Sequence, residues 1–303
     1  MIAYSRIIAA VDFSECSAAA LEQACRIGTW AVPVGSGGDG RSSVEAVYAV
    51  EPIIYDVAAP VILMPIPTPA DQSADAVRRW DSFAPAAHNR SRVRLHTPIG
   101  QPVGEVVHLA RERTADLVVV GAHSSFDSAR GVGSVASGIA RAAPCPVLIT
   151  CEHHRGPFRS VVAAIDFSEP SRVALEHAAR ITALDEARLT LLHVYKDPWA
   201  VAGGQIEFAA NMPDFREQYR CGVVHRLQAF GAGLAHELGA LHAGYEAVQN
   251  DNHARGIIAF AKHHHADLVV LASRGHSRLR EFFFGTTAER VVREAECSVL
   301  LVR

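Results

Sequence analysis

Two hydrophobic patterns alternate along the second half of this chain. RSVVAAID (159–166), LTLLHVY (189–195), ADLVVLAS (266–273) and SVLLV (298–302) are nearly uninterrupted apolar runs, and YEAVQ (245–249) is a shorter third run between them. Apolar runs of this length, bounded by polar or turn residues, predict strands of a parallel sheet covered on both faces. Helical segments are predicted between them at 171–183, from about Pro213 to Leu241, at 254–265 and at 286–295. Ser168 stands where a helix N-cap belongs, and Pro170 suits the first turn behind it. Alternation of strand and helix implies right-handed crossovers and a doubly wound sheet. In such a sheet ligands bind beyond the carboxyl ends of the strands, where strand order reverses.

The first half repeats the second. IIAAVDFSE (7–15) answers VVAAIDFSE (161–169), and Ala20-Leu21 answers Ala174-Leu175 at the same offset. ADLVVVGAHS (115–124) answers ADLVVLASRG (266–275), and CPVLIT (145–150) answers CSVLLV (297–302). A period near 150 residues is a domain, not a solenoid unit. The expected organisation is therefore α/β, with two tandem doubly wound, Rossmann-like domains at 1–152 and 157–303. Each carries a five-stranded parallel sheet, and CEHHRGP (151–157) forms the boundary. The first half is less regular. PVGSGGDGRSS (33–43) has a linker composition, 51–69 is apolar but holds five prolines, and only about 71–87 looks helical there.

Composition narrows the function classes. The 303 residues carry a formal net charge of -3 and no Lys/Arg run, so the basic stripe of a nucleic-acid binder is missing. No 18-residue apolar stretch predicts a membrane span, and the N-terminus reads as a first strand, so a cytoplasmic protein is expected. Six cysteines without a CxxC pair predict free thiols. Sixteen histidines invite a metal, but His263, His264 and His265 are consecutive on a predicted helix and diverge, so no metal site is expected. SGGD (36–39) follows a helix instead of a first strand, which argues against a pyrophosphatase-type loop. Neither GxSxG nor a Walker lysine motif occurs, and no general base presents itself, so an enzyme is not expected.

One loop carries candidate chemistry. ASRGHSRLREFFFGTTAERVV follows a strand and opens a helix at Gly285-Thr286. A helix N-terminus offers N–H groups and a positive dipole end to an anion, and glycine lets the backbone come close. The same residues also fit an ordinary helix cap. Together with the strand motifs, this loop resembles the universal stress protein family across both halves. ATP-binding members of that family carry G-x-x-G, nine residues and then G-[S/T], and begin with V-D-x-S.

The resemblance implies an ATP site, with or without Mg²⁺, in the second half. Gly275, nine further residues and Gly285-Thr286 match, while Ala272 replaces the first glycine and its methyl would crowd a phosphate if φ were positive. Asp166 and Val194 fall on the adenine side, and Arg274, His276 and Thr287 complete the implied set. In the first half Asp12, Val50 and Gly121 match. Ser124 replaces the second glycine, only eight residues precede Gly133-Ser134, and Gly131 partly compensates. The first site is thus the more degenerate. Phe282, Phe283 and Phe284 are expected to pack instead of stacking on a base. The function implied is a nucleotide-binding stress or regulatory protein without fast catalysis; the alternative is a partner-binding scaffold with decayed sites. The resemblance also implies an internal pseudo-dimer joined through the last strands, a possible further homodimer and an unidentified protein partner.

Overall fold

Ten strands, paired in parallel within each unit, and nine α-helices are described in a computed structural model that covers residues 2, 4–29, 43–51, 67–83, 93–123, 132–152, 154–196, 213–275 and 284–303. The chain divides into the units Ala3–Arg155 and Gly156–Arg303. In the first unit the order is β1 (Arg6–Ala10), α1 (Glu15–Gly28), β2 (Ser43–Val47), α2 (Pro69–Phe83), β3 (Val93–His96), α3 (Pro102–Glu112), β4 (Leu117–Gly121), α4 (Ser134–Ala142) and β5 (Val147–Thr150). The second unit repeats it with β6 (Ser160–Ala164), α5 (Glu169–Asp185), β7 (Arg188–Tyr195), α6 (Pro213–Gly231), a 3₁₀ turn, α7 (Ala235–Ala240), β8 (Gly244–Gln249), α8 (His253–His263), β9 (Leu268–Ala272), α9 (Thr286–Glu294) and β10 (Ser298–Val302). Strand order is β3-β2-β1-β4-β5 in the first unit and β8-β7-β6-β9-β10 in the second. The order reverses beside β1 and β6, at their junctions with β4 and β9.

Helix covering on both faces explains the apolar runs. Every residue of β4, β5 and β10 is buried. Helix α1 turns Cys16, Ala19, Ala20, Leu21, Ala24 and Ile27 inward. Its small residues let it lie close to the sheet: a Cβ added to Gly121 would sit 2.7 Å from the Cys16 carbonyl carbon.

The ADLVV motif shared by the halves has a structural reason. Asp116 Oδ2 accepts from the Ser5 and Arg6 N–H groups at 3.0 and 2.9 Å. Asp267 accepts from Arg159 at 2.7 Å and Ser160 at 3.0 Å in the same way. Each aspartate thus fastens the start of a unit's fourth strand to the start of its first.

The helix expected from 213 to 241 is broken. Helix α6 ends at Gly231, a 3₁₀ turn spans Ala232–Leu234, and α7 follows. Gly231 and Gly233 each cost about 1 kcal/mol of helix propensity relative to alanine. Leu238 then folds back so tightly that a Cβ on Gly231 would meet its Cδ1 at 2.7 Å. The expected helix at 71–87 begins earlier, at Pro69, where Thr68 caps it: Asp71 N–H donates to Thr68 Oγ1 at 3.2 Å, and Thr68 N–H donates back to Asp71 Oδ2 at 2.9 Å. Residues 84–87, like 30–42 with the SGGD stretch and 52–66 with most of the prolines, lie outside the described residues.

Helix α5 buries His177 at 7% exposure, and burial pulls its pKa down to about 4. The unfolded chain, with an ordinary histidine, binds a proton more readily between pH 6.5 and 4. Stability is therefore whole above pH 6.5 and falls as pH drops through that window, by at most about 3 kcal/mol. The matching residue in α1 is Gln23, 1% exposed, whose Oε1 accepts from Arg26 Nε and Nη2 at 2.9 and 2.7 Å. Replacing His177 by glutamine places the first unit's solution opposite Arg180. We expect urea unfolding at pH 4.5 to show a clear gain for H177Q and at pH 7.5 little change; equal shifts at both pH values would refute the assignment.

Candidate functional site

Each unit opens a cleft beyond the carboxyl ends of its strands, beside the point where strand order reverses. The first has a volume of about 560 Å³ and the second about 570 Å³. Both lie in the range of small-molecule sites.

The floor of each cleft is built by the turn after the first strand. Asp12 Oδ1 accepts from Ser14 N–H at 3.0 Å and from Ser14 Oγ at 2.5 Å. Asp166 Oδ1 holds Ser168 identically, at 2.9 and 2.5 Å. The serines in turn cap α1 and α5, accepting from the Ser17 and Ser171 N–H groups. Both aspartates line their clefts, so buttressing the cap and facing the cavity are combined in one carboxylate.

Between aspartate and serine the chain turns through Phe13 (φ 63°) and Phe167 (φ 65°), a left-handed conformation unfavourable for a side chain of this size. Packing holds it. The Phe13 ring lies 4.9 Å from Tyr48 and 5.1 Å from Phe83, with the Arg79 guanidinium 4.4 Å above its centre. The Phe167 ring lies 4.5 Å from His193 and 5.7 Å from Phe230, with the Arg226 guanidinium at 4.0 Å. The sequence comparison missed this arrangement. Its signal is R-x-x-x-F, Arg79/Phe83 against Arg226/Phe230, at an offset of 147. Length differences on either side of β2 and β7 move it away from the offsets of 151–154 that mark the other repeats.

The far wall is the loop after β4 or β9 and the helix it leads to. Gly133 N–H donates to Ala122 O at 2.7 Å, and Gly285 N–H donates to Ser273 O at 2.9 Å. The same bond therefore closes loops that differ by one residue, and the deletion falls between its ends. Gly133 and Gly285 are the N-caps of α4 and α9, and neither helix receives a side-chain cap. Their first-turn residues line the same cavity as the aspartate, with Ser134 in one cleft and Thr286 and Thr287 in the other. Gly275 lacks a positive φ; its reason is close approach, since a Cβ there would collide with Asp166 Oδ2.

Among the residues expected at the second site, Asp166, Val194, Ala272, Arg274, Gly275, Gly285, Thr286 and Thr287 line one cavity, joined by Phe284. Ala272 ends β9, paired with Val302, and its φ is not positive, so the condition for its methyl to crowd a phosphate is not met. In the first cleft Asp12, Gly121, Gly133 and Ser134 come together. Ser124, Gly131, His276, Phe282 and Phe283 lie outside the described residues.

Val50 needs correction. Val47 pairs with Ala10 as Leu192 pairs with Ala164, so Tyr48 matches His193 and Ala49 matches Val194. Ala49 lines the cavity, whereas Val50 is 1% exposed, and its N–H donates to Pro98 O at 2.8 Å. Matching valine to valine shifts the strand by one residue, and successive residues face opposite sides.

Two histidines of the second cleft also escaped the sequence comparison. His193 Nδ1 donates to Ile165 O at 2.7 Å, which leaves Nε2 as an acceptor in the neutral ring. Burial lowers its pKa; the charges of His253 and Arg226 add to this, while the Ile165 bond and Asp166 oppose it. His253, the first residue of α8, is lowered by burial and by the charge of Lys196. Among the described residues no group of three or more His, Cys, Asp or Glu could hold a metal ion, none of the six cysteines forms a disulfide, and no helix is long and apolar enough to cross a membrane.

Comparison with known proteins agrees with this geometry. The profile described as the universal stress protein family matches residues 3–150 and again 157–303. Universal stress protein YxiE of Bacillus subtilis strain 168 is 28% identical over 153 residues, covering 48% of this chain and 99% of that protein. Universal stress protein MJ0577 of Methanocaldococcus jannaschii is 21% identical over 157 residues, covering 48% and 95%. The crystal structure of a universal stress protein from Archaeoglobus fulgidus has the same fold, with a TM-score of 0.62 at 16% identity over 99% of this chain and 98% of that one. The chain belongs to the universal stress protein family and carries its Rossmann-like domain twice in tandem.

Proposed function

We propose that this stress-related protein binds ATP in its second cleft and acts through that binding, without rapid turnover. The observation that supports the reading most is the glycine-capped start of α9. Its first-turn N–H groups receive no side-chain cap and open onto the cavity that Asp166 lines from the other side. A helix start of this kind suits a phosphate chain, while Asp166 and Val194, which line the same cavity, would meet a base and ribose. Thr286 and Thr287 add hydroxyl donors to the phosphate end, and Arg274 adds a cation. For binding to have a regulatory output, ATP must favour one conformation over another, since equal affinity shifts nothing.

Calorimetric titration of the whole chain with ATP, in the presence and absence of Mg²⁺, tests the reading. We expect saturable binding with one strong site per chain. No heat at millimolar ATP would demote the glycine to an ordinary cap and leave a partner-binding scaffold as the better account.

A further inference from the structure

The repeat allows the two clefts to be compared residue by residue, and at four matched positions they differ in one direction. At the residue after the end of the second strand that pairs with the first, Tyr48 of the first cleft corresponds to His193 of the second. Three residues further on, Glu51, which lines the first cleft, corresponds to Lys196, whose charge reaches His253. At the first residues of α3 and α8, Pro102 corresponds to His253. Two residues beyond the fourth strand's last residue, His123 corresponds to Arg274. At all four positions the second unit carries the more basic group. One lining difference runs the other way, since Arg79 lines the first cleft and Arg226 does not line the second; other features match. Asp12 matches Asp166, Arg79 matches Arg226 in stacking on its phenylalanine, and both loop-closing helices start at an uncapped glycine.

From this difference we infer that the clefts sort ligands by charge, the second taking a nucleoside polyphosphate and the first an uncharged purine nucleoside. The inference rests on the nucleotide reading above and deepens it. In the second cleft, Arg274 is a fixed positive charge in the lining, Lys196 acts on His253 from outside it, and His193 and His253 are neutral rings beside Asp166 that a polyanion would help to protonate. The charged groups facing that pair are Asp166 from the β6 turn, Arg226 from α6 and Lys196 at the end of β7. In the first cleft, Asp12 and Glu51 supply two carboxylates suited to accept from ribose hydroxyls and an exocyclic amine, and they repel added phosphates. A chain of this kind would register triphosphate and dephosphorylated nucleoside in separate clefts.

The test uses the full chain with one cleft blocked at a time, by Gly285→Asp in the second or Gly133→Asp in the first. Each is titrated by calorimetry with adenosine, AMP, ADP and ATP. With the second cleft open, affinity is expected to climb about a hundredfold from adenosine to ATP, as each phosphate meets more positive charge. Near pH 6, titrations in two buffers of different ionisation heat should show proton uptake with ATP, reduced in His253→Gln. With the first cleft open, adenosine is expected to bind more tightly than ATP and without proton uptake, and Glu51→Lys should reverse the preference. The same climb toward ATP in both clefts would overturn the sorting while leaving the nucleotide reading intact. Binding of none of the four ligands to the unsubstituted chain would overturn both.

Discussion

Gly285→Asp is expected to weaken ATP binding by at least about a hundredfold while the protein keeps or gains stability. The two effects have one physical origin. Gly285 sits at φ -65° and ψ 136°, ordinary N-cap angles that aspartate adopts without strain. Its added Cβ would stand 3.2 Å from Ser273 O, close but relieved by a shift of a few tenths of an ångström. The new carboxylate would then accept from the first-turn N–H groups of α9, satisfying the donors that a phosphate would otherwise use. Helix stability gains about 1 kcal/mol from such a cap, and the anion site is lost twice over, by occupancy and by repulsion. Calorimetric titration read beside thermal unfolding separates the outcomes. Unchanged ATP affinity would show that α9 does not hold the phosphates. Lost affinity with a lowered melting temperature would show only that the loop was damaged, and Gly285→Ser, neutral at the same place, would then decide between charge and distortion.

Gly121→Ala should destabilise the first unit by about 2 kcal/mol or more, although the second unit carries alanine at the matched residue. The added Cβ would stand 2.7, 2.8 and 2.9 Å from the Cys16 carbonyl carbon, Cβ and carbonyl oxygen, and two of these three atoms are backbone. A flexible side-chain tip could turn away; the first turn of α1 cannot do so without lifting Cys16 and Ser17 from the sheet. Ser17 belongs to the capping box with Ser14, and Ser14 is held by Asp12, so the shift would be passed on to the floor of the first cleft. Ala272 in the second unit ends a regular strand, which indicates that the sheet itself tolerates a side chain there. The constraint comes from how closely α1 approaches β4. Differential scanning calorimetry checks this. A melting profile unchanged by Gly121→Ala would mean that the close contact is readily relaxed.

Much of the architecture was legible in the sequence because it is set by short-range rules. Doubly covered parallel strands must be apolar throughout, and that is why RSVVAAID and ADLVVLAS stand out. The duplicated VDFSE/IDFSE and ADLVV segments mark the two units because their aspartates tie fixed backbone groups, in the first by holding Ser14 and Ser168 and in the second by fastening strand starts. Ser168 was legible as an N-cap because capping depends on residues three apart. The break at Gly231 was less so, since propensity weakens a helix there but the tight return of Leu238 decides that it stops.

The site divides along the same line. Its loop glycines, its aspartates and its strand-to-helix placement follow from motif and sequence position. Register does not: whether Ala49 or Val50 faces the cavity depends on which residue of β2 pairs with Ala10, a contact across some forty residues of chain that valine-to-valine matching cannot detect. The Arg–Phe stack and the His193–His253 pair likewise bring together residues from separate strands and helices. Sequence alone determined the repeated fold and the end of the sheet where the clefts open. Tertiary packing decided which side chains enter them and made the second cleft more basic than the first, because side-chain facing and electrostatic environment depend on neighbours that the chain brings together only when folded.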